Sequence, residues 1–311
     1  MATAPDTDTP LVGSDDCDHP QPSKALAHSA EEPEMRLVMR PDTQPKAGDT
    51  EEMRLVSKEE IWGGISELFE FWVMLWTNGK DYFCSKYPSR QLPEDLTPSG
   101  LEAQLVPIPQ TYYQPPIPSD SSLTPASLPL AKNIYIKRPD PITFNPDKPT
   151  STECADSMLQ DAHVCEILTK HPHPNICIYY GYIAENSFLT GLCFEKYEKT
   201  LYEAIKNGDA VDGPRILEGV QSGLDHLHAL GLVHGDVNPH NIMLDSTSVP
   251  IIIDFDSCQS QGTRIFGKGG TPLWCKEPPP IVAETENDVY GLEAIREWLV
   301  EEGMKTADPD S

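Results

Sequence analysis

Apolar positions recur along the chain with two periods. Ile61, Ile65, Leu68, Trp72 and Leu75 fall at helical spacing behind Ser57 and Glu60, which read as a capping box, and Gly79 supplies a stop. They predict a helix over about 58–76, although Gly63 and Gly64 each cost it roughly 1 kcal/mol. Asn133–Lys137 (NIYIK) reads as a strand, Glu153–Lys170 as a helix with Met158, Ala162, Cys165 and Leu168 on one face, and Asn175–Ile183 and Leu189–Phe194 as strands. A short helix at Thr200–Asn207 follows, then a longer one at Arg215–Leu230 with Leu217, Val220, Leu224 and Leu227 inward, and a last one at about Asn287–Glu302. Strands first and helices later give an α+β pattern of two unequal lobes.

Composition divides the chain further. Residues 1–50 are rich in Pro, Asp, Glu, Thr and Ser and are expected to be disordered, because they bury too little apolar surface to offset chain entropy. The expected order is then a small helical element at 51–105, a Pro-rich linker or strap at 106–130, a compact domain at 131–303 and a disordered tail at 304–311. The formal net charge is −26, which disfavours nucleic acid and anionic membranes as partners. The eight cysteines form no CxxC pair and are not spaced with histidine as a zinc site needs, so reduced thiols are expected. The start lacks a signal-peptide pattern, and the most apolar run, Ile61–Trp76, is too short and too charged to span a bilayer. These absences point to a cytoplasmic protein, with the nucleus as the other option.

The chemistry concentrates in two stretches. LVHGDVNPHNIMLD runs from Leu232 to Asp245 and IIIDFD from Ile251 to Asp256, with Asp236 and Asp254 spaced 254 − 236 = 18 positions apart. Each sets a carboxylate beside a β-type apolar run, and Asn241 lies between them. Such a set can position a hydroxyl nucleophile and hold Mg²⁺ on a nucleoside triphosphate.

Five motifs then carry a family resemblance: HPHPNI (171–176), HGDVNPHN (234–241), DFD (254–256), GGTPLWCKE (269–277) and ENDVYGL (286–292). Over residues 131–303 the chain resembles the protein-kinase-like fold, and more closely the divergent kinase-domain proteins abundant in fungi. The resemblance implies a two-lobed fold, ATP as substrate, Mg²⁺ as cofactor and a protein hydroxyl as acceptor. It makes Asp236 the group that accepts and orients the acceptor's proton, and Asn241 and Asp254 the metal ligands. His234 would support the loop and Asp288 would brace it from below. Lys137 would pair with phosphate. Asp161 fills the slot of its acidic partner, with Glu166 as competitor. Phe194, Glu195, Lys196 and Tyr197 match the hinge that meets adenine through backbone groups.

The chain also departs from the family. No glycine occurs between Gly100 and Gly181, so the Gly-rich loop is missing. Gly235 replaces the arginine that reads activation-segment phosphate, so activity is expected not to need phosphorylation at Ser257, Ser260, Thr263 or Thr271. Asn238 stands where Ser/Thr kinases keep a lysine on the transferring phosphate, and Asp256 replaces a glycine. With 311 − 288 = 23 residues after Asp288, a truncated C-lobe is expected. Three readings remain: a protein Ser/Thr kinase-like phosphotransferase, a small-molecule kinase of the aminoglycoside or choline phosphotransferase type, and a pseudokinase scaffold.

Overall fold

Aromatic and β-branched side chains crowd the first described segment, and they make a sheet. The computed structural model describes residues 53–62, 68–118, 121–128, 130, 132–265 and 270–307. Strands β1 (Arg54–Trp62), β2 (Phe69–Thr77), β3 (Tyr82–Tyr87) and β4 (Val106–Pro107) pair antiparallel in the order β1-β2-β3-β4. The helix expected at 58–76, and with it a helical element at 51–105, is thereby corrected. Strand β2 is covered on both faces: Met74 and Trp76 pack with Leu101, while Leu75 packs with Cys84, Ile108 and Tyr112. A strand covered on both sides is a nearly unbroken apolar run, which periodicity alone does not separate from a helix. Gly63, Gly64, Ile65 and the expected disorder of 1–50 lie outside the described residues.

The one-turn helix α1 (Gln110–Tyr113) buries Tyr112 and Tyr113. Then come β5 (Ile134–Lys137), α2 (Glu153–Lys170), β6 (Tyr179–Glu185) and β7 (Phe188–Glu195), whose strands pair in the order β5-β7-β6. The stretch at 115–126 is bonded to this sheet, which corrects the linker expected there. Leu189 N–H donates to Pro115 O at 2.9 Å, Ile117 N–H to Ser187 O at 2.9 Å, Tyr182 N–H to Thr124 O at 3.0 Å and Ala126 N–H to Tyr182 O at 2.8 Å. Leu123 is buried in the main core, which also holds Met158 and Ala162.

The second half runs β8 (Lys199–Thr200), α3 (Leu201–Lys206), α4 (Gly213–Ala229), β9 (Leu232–Val233), β10 (Ile242–Leu244), β11 (Pro250–Ile252), β12 (Gln259–Ser260) and α5 (Thr285–Ala307). Thr200 and Glu203 close a capping box on α3, and Asp212 caps α4 ahead of Pro214. Helix α4 lies close on β11 because Gly223 has no side chain: a Cβ there would stand 2.7 Å from Ile252 Cδ1. The HPHPNI turn is stitched to the same strand, with Asn175 Nδ2 donating to Pro250 O at 2.9 Å and Ile252 N–H to Asn175 O at 2.8 Å. One apolar core therefore continues from α2 and β7 through α4 to β10 and β11. Helix α5 includes residues 304–307, which corrects the expected boundary of the tail.

Candidate functional site

Lys137 ends β5 and points between two carboxylates. Its Nζ lies 2.5 Å from Asp161 Oδ2 on α2 and 2.6 Å from Asp254 Oδ1 after β11. Burial alone would push the ammonium pKa down, but Asp161, Asp254 and Asp256 around it hold it well above its ordinary value. Asp161 is fully buried, and burial pushes its carboxyl up despite the lysine. Its other oxygen accepts from Cys165 Sγ at 3.4 Å, one turn along the helix. Of the two acids considered on α2, Asp161 makes the pair and Glu166 points to Thr124 instead.

The loop after β9 presents Asp236. Its Oδ1 accepts from Thr271 N–H at 2.8 Å, Thr271 Oγ1 at 2.8 Å and Asn238 Nδ2 at 3.1 Å, and its Oδ2 accepts from Asn241 Nδ2 at 3.1 Å. Asn238 is buried, and its Oδ1 accepts from His240 N–H at 2.9 Å and Asn241 N–H at 3.3 Å, capping the 3₁₀ turn at Pro239–Asn241. It therefore orients Asp236 rather than projecting from the loop. With Nδ2 committed to Asp236, Asn241 keeps Oδ1 as its free lone-pair donor. Ile253 N–H donates to Asn241 O at 3.0 Å, so the loop and Asp254 are joined through one backbone bond. His234 secures the same junction: its Nδ1 accepts from Asp236 N–H at 3.3 Å and its Nε2 donates to Ile253 O at 3.0 Å. Asp254 itself holds φ at +65°, a left-handed conformation that costs a non-glycine residue about 1–2 kcal/mol.

The loop rests on α5. Asp288 is fully buried and accepts from Gly235 N–H at 2.8 Å and His234 N–H at 2.9 Å, with His228 Nε2 also 2.8 Å away. Gly291, one turn on, lets the helix approach, since a Cβ there would stand 2.5 Å from Val237 O. Gly235 is equally constrained: φ is +80° and a Cβ would lie 2.9 Å from Ser257 O. Gly235→Ala is expected to lower stability by about 2 kcal/mol, a fall of about 5 °C in Tm, which thermal denaturation would read.

The hinge residues are anchored sideways. Glu195 accepts from Asn133 Nδ2 at 2.8 Å and from the Tyr180 hydroxyl, a contact that pushes the Tyr180 pKa up to about 12. The Tyr197 hydroxyl accepts from Ile178 N–H at 3.1 Å. Both side chains are thus committed to the framework.

Lys137, Asp161, Asp236, Asn238, Asn241 and Asp254 thus fall into two bonded groups joined through Ile253, while Glu195 and Tyr197 sit on the strand end beside β5. Sequence reasoning missed Thr271 as a support of Asp236. It also missed Gln160, whose Nε2 donates to Cys258 O, and the partner of Glu166. Nothing in the spacing signals these long-range bonds. Among the described residues no group of three or more His, Cys, Asp or Glu could hold a metal ion. A two-residue oxygen set such as Asn241 and Asp254 suits Mg²⁺, which takes its other ligands from water and phosphate.

The protein kinase domain family matches residues 147–276, from the turn before α2 through the segment that carries Thr271. The fold is that of a protein kinase domain. This kinase-like region is 29% identical over 147 residues to serine/threonine-protein kinase D of Synechocystis, covering 46% of this chain and 28% of that protein. It is 31% identical over 124 residues to the dual serine/threonine and tyrosine protein kinase of Gallus gallus, covering 39% and 13%. It is 29% identical over 141 residues to cyclin-dependent kinase 7 of Xenopus laevis, covering 43% and 39%. The chain thus spans well under half the length of these kinase relatives.

Proposed function

We propose that the protein is an ATP- and Mg²⁺-dependent phosphotransferase of the protein Ser/Thr kinase type, moving the γ-phosphate to a hydroxyl. The observation that carries this reading is the linkage of Asp236, Asn241, Asp254 and Lys137 in one bonded framework. Asp236 accepts the proton of the attacking hydroxyl and holds its oxygen in line with phosphorus. Thr271 and Asn238 fix that carboxylate in advance, so little reorganisation is needed when the acceptor arrives. Lys137, kept charged by its three carboxylates, offers its ammonium to phosphate oxygens, and Asp161 keeps it aimed. Asn241 Oδ1 and the Asp254 carboxylate are the groups that would hold Mg²⁺. The ion, when bound, neutralises charge on the phosphates.

The likeness to divergent fungal kinase-domain proteins belongs to the same proposal. So does a reducing compartment such as the cytoplasm, supported by the buried thiols of Cys84, Cys165, Cys177, Cys193 and Cys258, which stand outside any disulfide. No helix among the described residues is long and apolar enough to cross a membrane.

A pseudokinase that binds partners is the second reading. It is favoured by the lack of any glycine between Gly100 and Gly181 and by the uncharged Asn238. Comparing wild type with Asp236→Asn separates the two. ATP affinity should stay the same, while γ-phosphate transfer to a protein substrate falls by about 10²–10⁴-fold. Nucleotide binding without transfer in the wild type would establish the pseudokinase. Transfer to small-molecule hydroxyls alone would establish a metabolite kinase.

A further inference from the structure

The bonds around α2 close into a ring. Thr124 N–H donates to Glu166 Oε1 at 2.6 Å and Thr124 Oγ1 to Glu166 Oε2 at 2.9 Å, so one strap residue occupies both oxygens of a buried carboxylate. The strap is in turn bonded to β6, since Tyr182 N–H donates to Thr124 O at 3.0 Å and Ala126 N–H to Tyr182 O at 2.8 Å. Strand β6 pairs with β7 and β7 with β5. Strand β5 ends in Lys137, which returns to α2 through Asp161 at 2.5 Å. Every link is a short polar bond or a strand ladder. Asp161 and Glu166 lie roughly 140° apart around the helix, so the two grips hold it from different sides.

We propose that Thr124 and Glu166 form a latch that sets the spacing of α2 from β5 and so positions Asp161 against Lys137. Its functional consequence rests on the nucleotide reading above. Aspartate is one methylene shorter than glutamate, so the pair closes only if α2 sits about 1.5 Å nearer the strand than a glutamate would require. A charge-assisted double hydrogen bond from a fixed strap supplies that constraint. Leu123, next to Thr124, is buried in the same apolar core as Met158 and Ala162 of that helix. The seat of the strap is also cut to fit. Gly181 has φ at +113°, and a Cβ there would stand 2.6 Å from Thr124 O. Thr124 and Glu166 are thus positioning residues, acting on Lys137 through Asp161.

The test uses the full chain with Glu166→Gln, Thr124→Val and the double variant Glu166→Gln/Asp161→Glu. Mg²⁺–ATP affinity is measured by calorimetry, and hydrogen exchange of the α2 amides is followed without nucleotide. Glu166→Gln should weaken ATP by about tenfold and speed exchange in α2. Adding Asp161→Glu should restore most of the affinity, because the longer side chain spans the retreat of the helix. A merely structural role would give no such rescue. Unchanged affinity and exchange in Glu166→Gln, or a loss that Asp161→Glu leaves in place, would overturn the latch. If Glu166→Gln does not fold, Thr124→Val, which removes one of the two bonds, carries the same comparison. If the wild type binds no ATP, the phosphotransferase reading falls, and α2 exchange alone decides the latch: faster supports it, unchanged refutes it.

Discussion

A chain shortened to begin at Ile108 is expected to melt about 15 °C below the full protein. The sheet β1–β4 supplies Leu75 and Cys84 to a cluster that also holds Ile108, Tyr112, Tyr113, Ile142 and Phe144. Tyr112 packs edge-on against Phe144 with ring centroids 5.0 Å apart, and its hydroxyl lies 3.0 Å from Thr143 Oγ1. Removing the sheet opens one side of this cluster. At about 1.5–3 kcal/mol for each large apolar side chain fully returned to water, partial exposure of four or five of them costs about 5 kcal/mol. For a domain of this size that corresponds to a fall of about 10–20 °C. The damage should also reach the site, because Ile142 and Phe144 follow Lys137 by only a few residues. Thermal denaturation of the two chains decides it, and equal melting temperatures would make the sheet a separate unit.

Asp288→Ala is expected to lower stability by about 3–5 kcal/mol and to release the loop that carries Asp236. The substitution removes an acceptor shared by His234 N–H, Gly235 N–H and His228 Nε2, in a place no water fills cheaply. The buried His234 N–H and the half-buried Gly235 N–H then lose their acceptor, a costly outcome of losing a hydrogen bond. The expected fall in Tm is about 10 °C. Asp288→Asn should be milder, since its carbonyl oxygen still accepts one of the bonds. Equal effects from alanine and asparagine would show that charge rather than acceptor geometry matters.

The readable parts of this chain are those whose partners lie close in sequence. Asp236, Asn241 and Asp254 fall within two adjacent stretches, so their spacing alone pointed to one site. Helix α4 was legible because Leu217, Val220, Leu224 and Leu227 face a single core, and β5, β6 and β7 because their apolar runs are short and bounded. Helix α2 was located correctly, but its acids were not separable. Asp161 and Glu166 are both buried, and only the long-range positions of Lys137 and Thr124 tell them apart. Strand β2 misled for the opposite reason: with Leu75 facing one cluster and Met74 and Trp76 the other, it lacks the polar face that marks a strand. Thr271 carried no signal, since its bond to Asp236 spans thirty-five positions.

The backbone of Asp254 bears on how any substitution there is interpreted. Its φ of +65° suits glycine, is tolerated by asparagine and strains alanine. An inert alanine variant would mix a missing carboxylate with a disturbed turn, whereas an inert asparagine variant isolates the charge. Selection for thermal robustness alone would settle on glycine at this position. Under the phosphotransferase proposed above, an acid held there at a standing cost to the native state fits a residue kept for what it would bind.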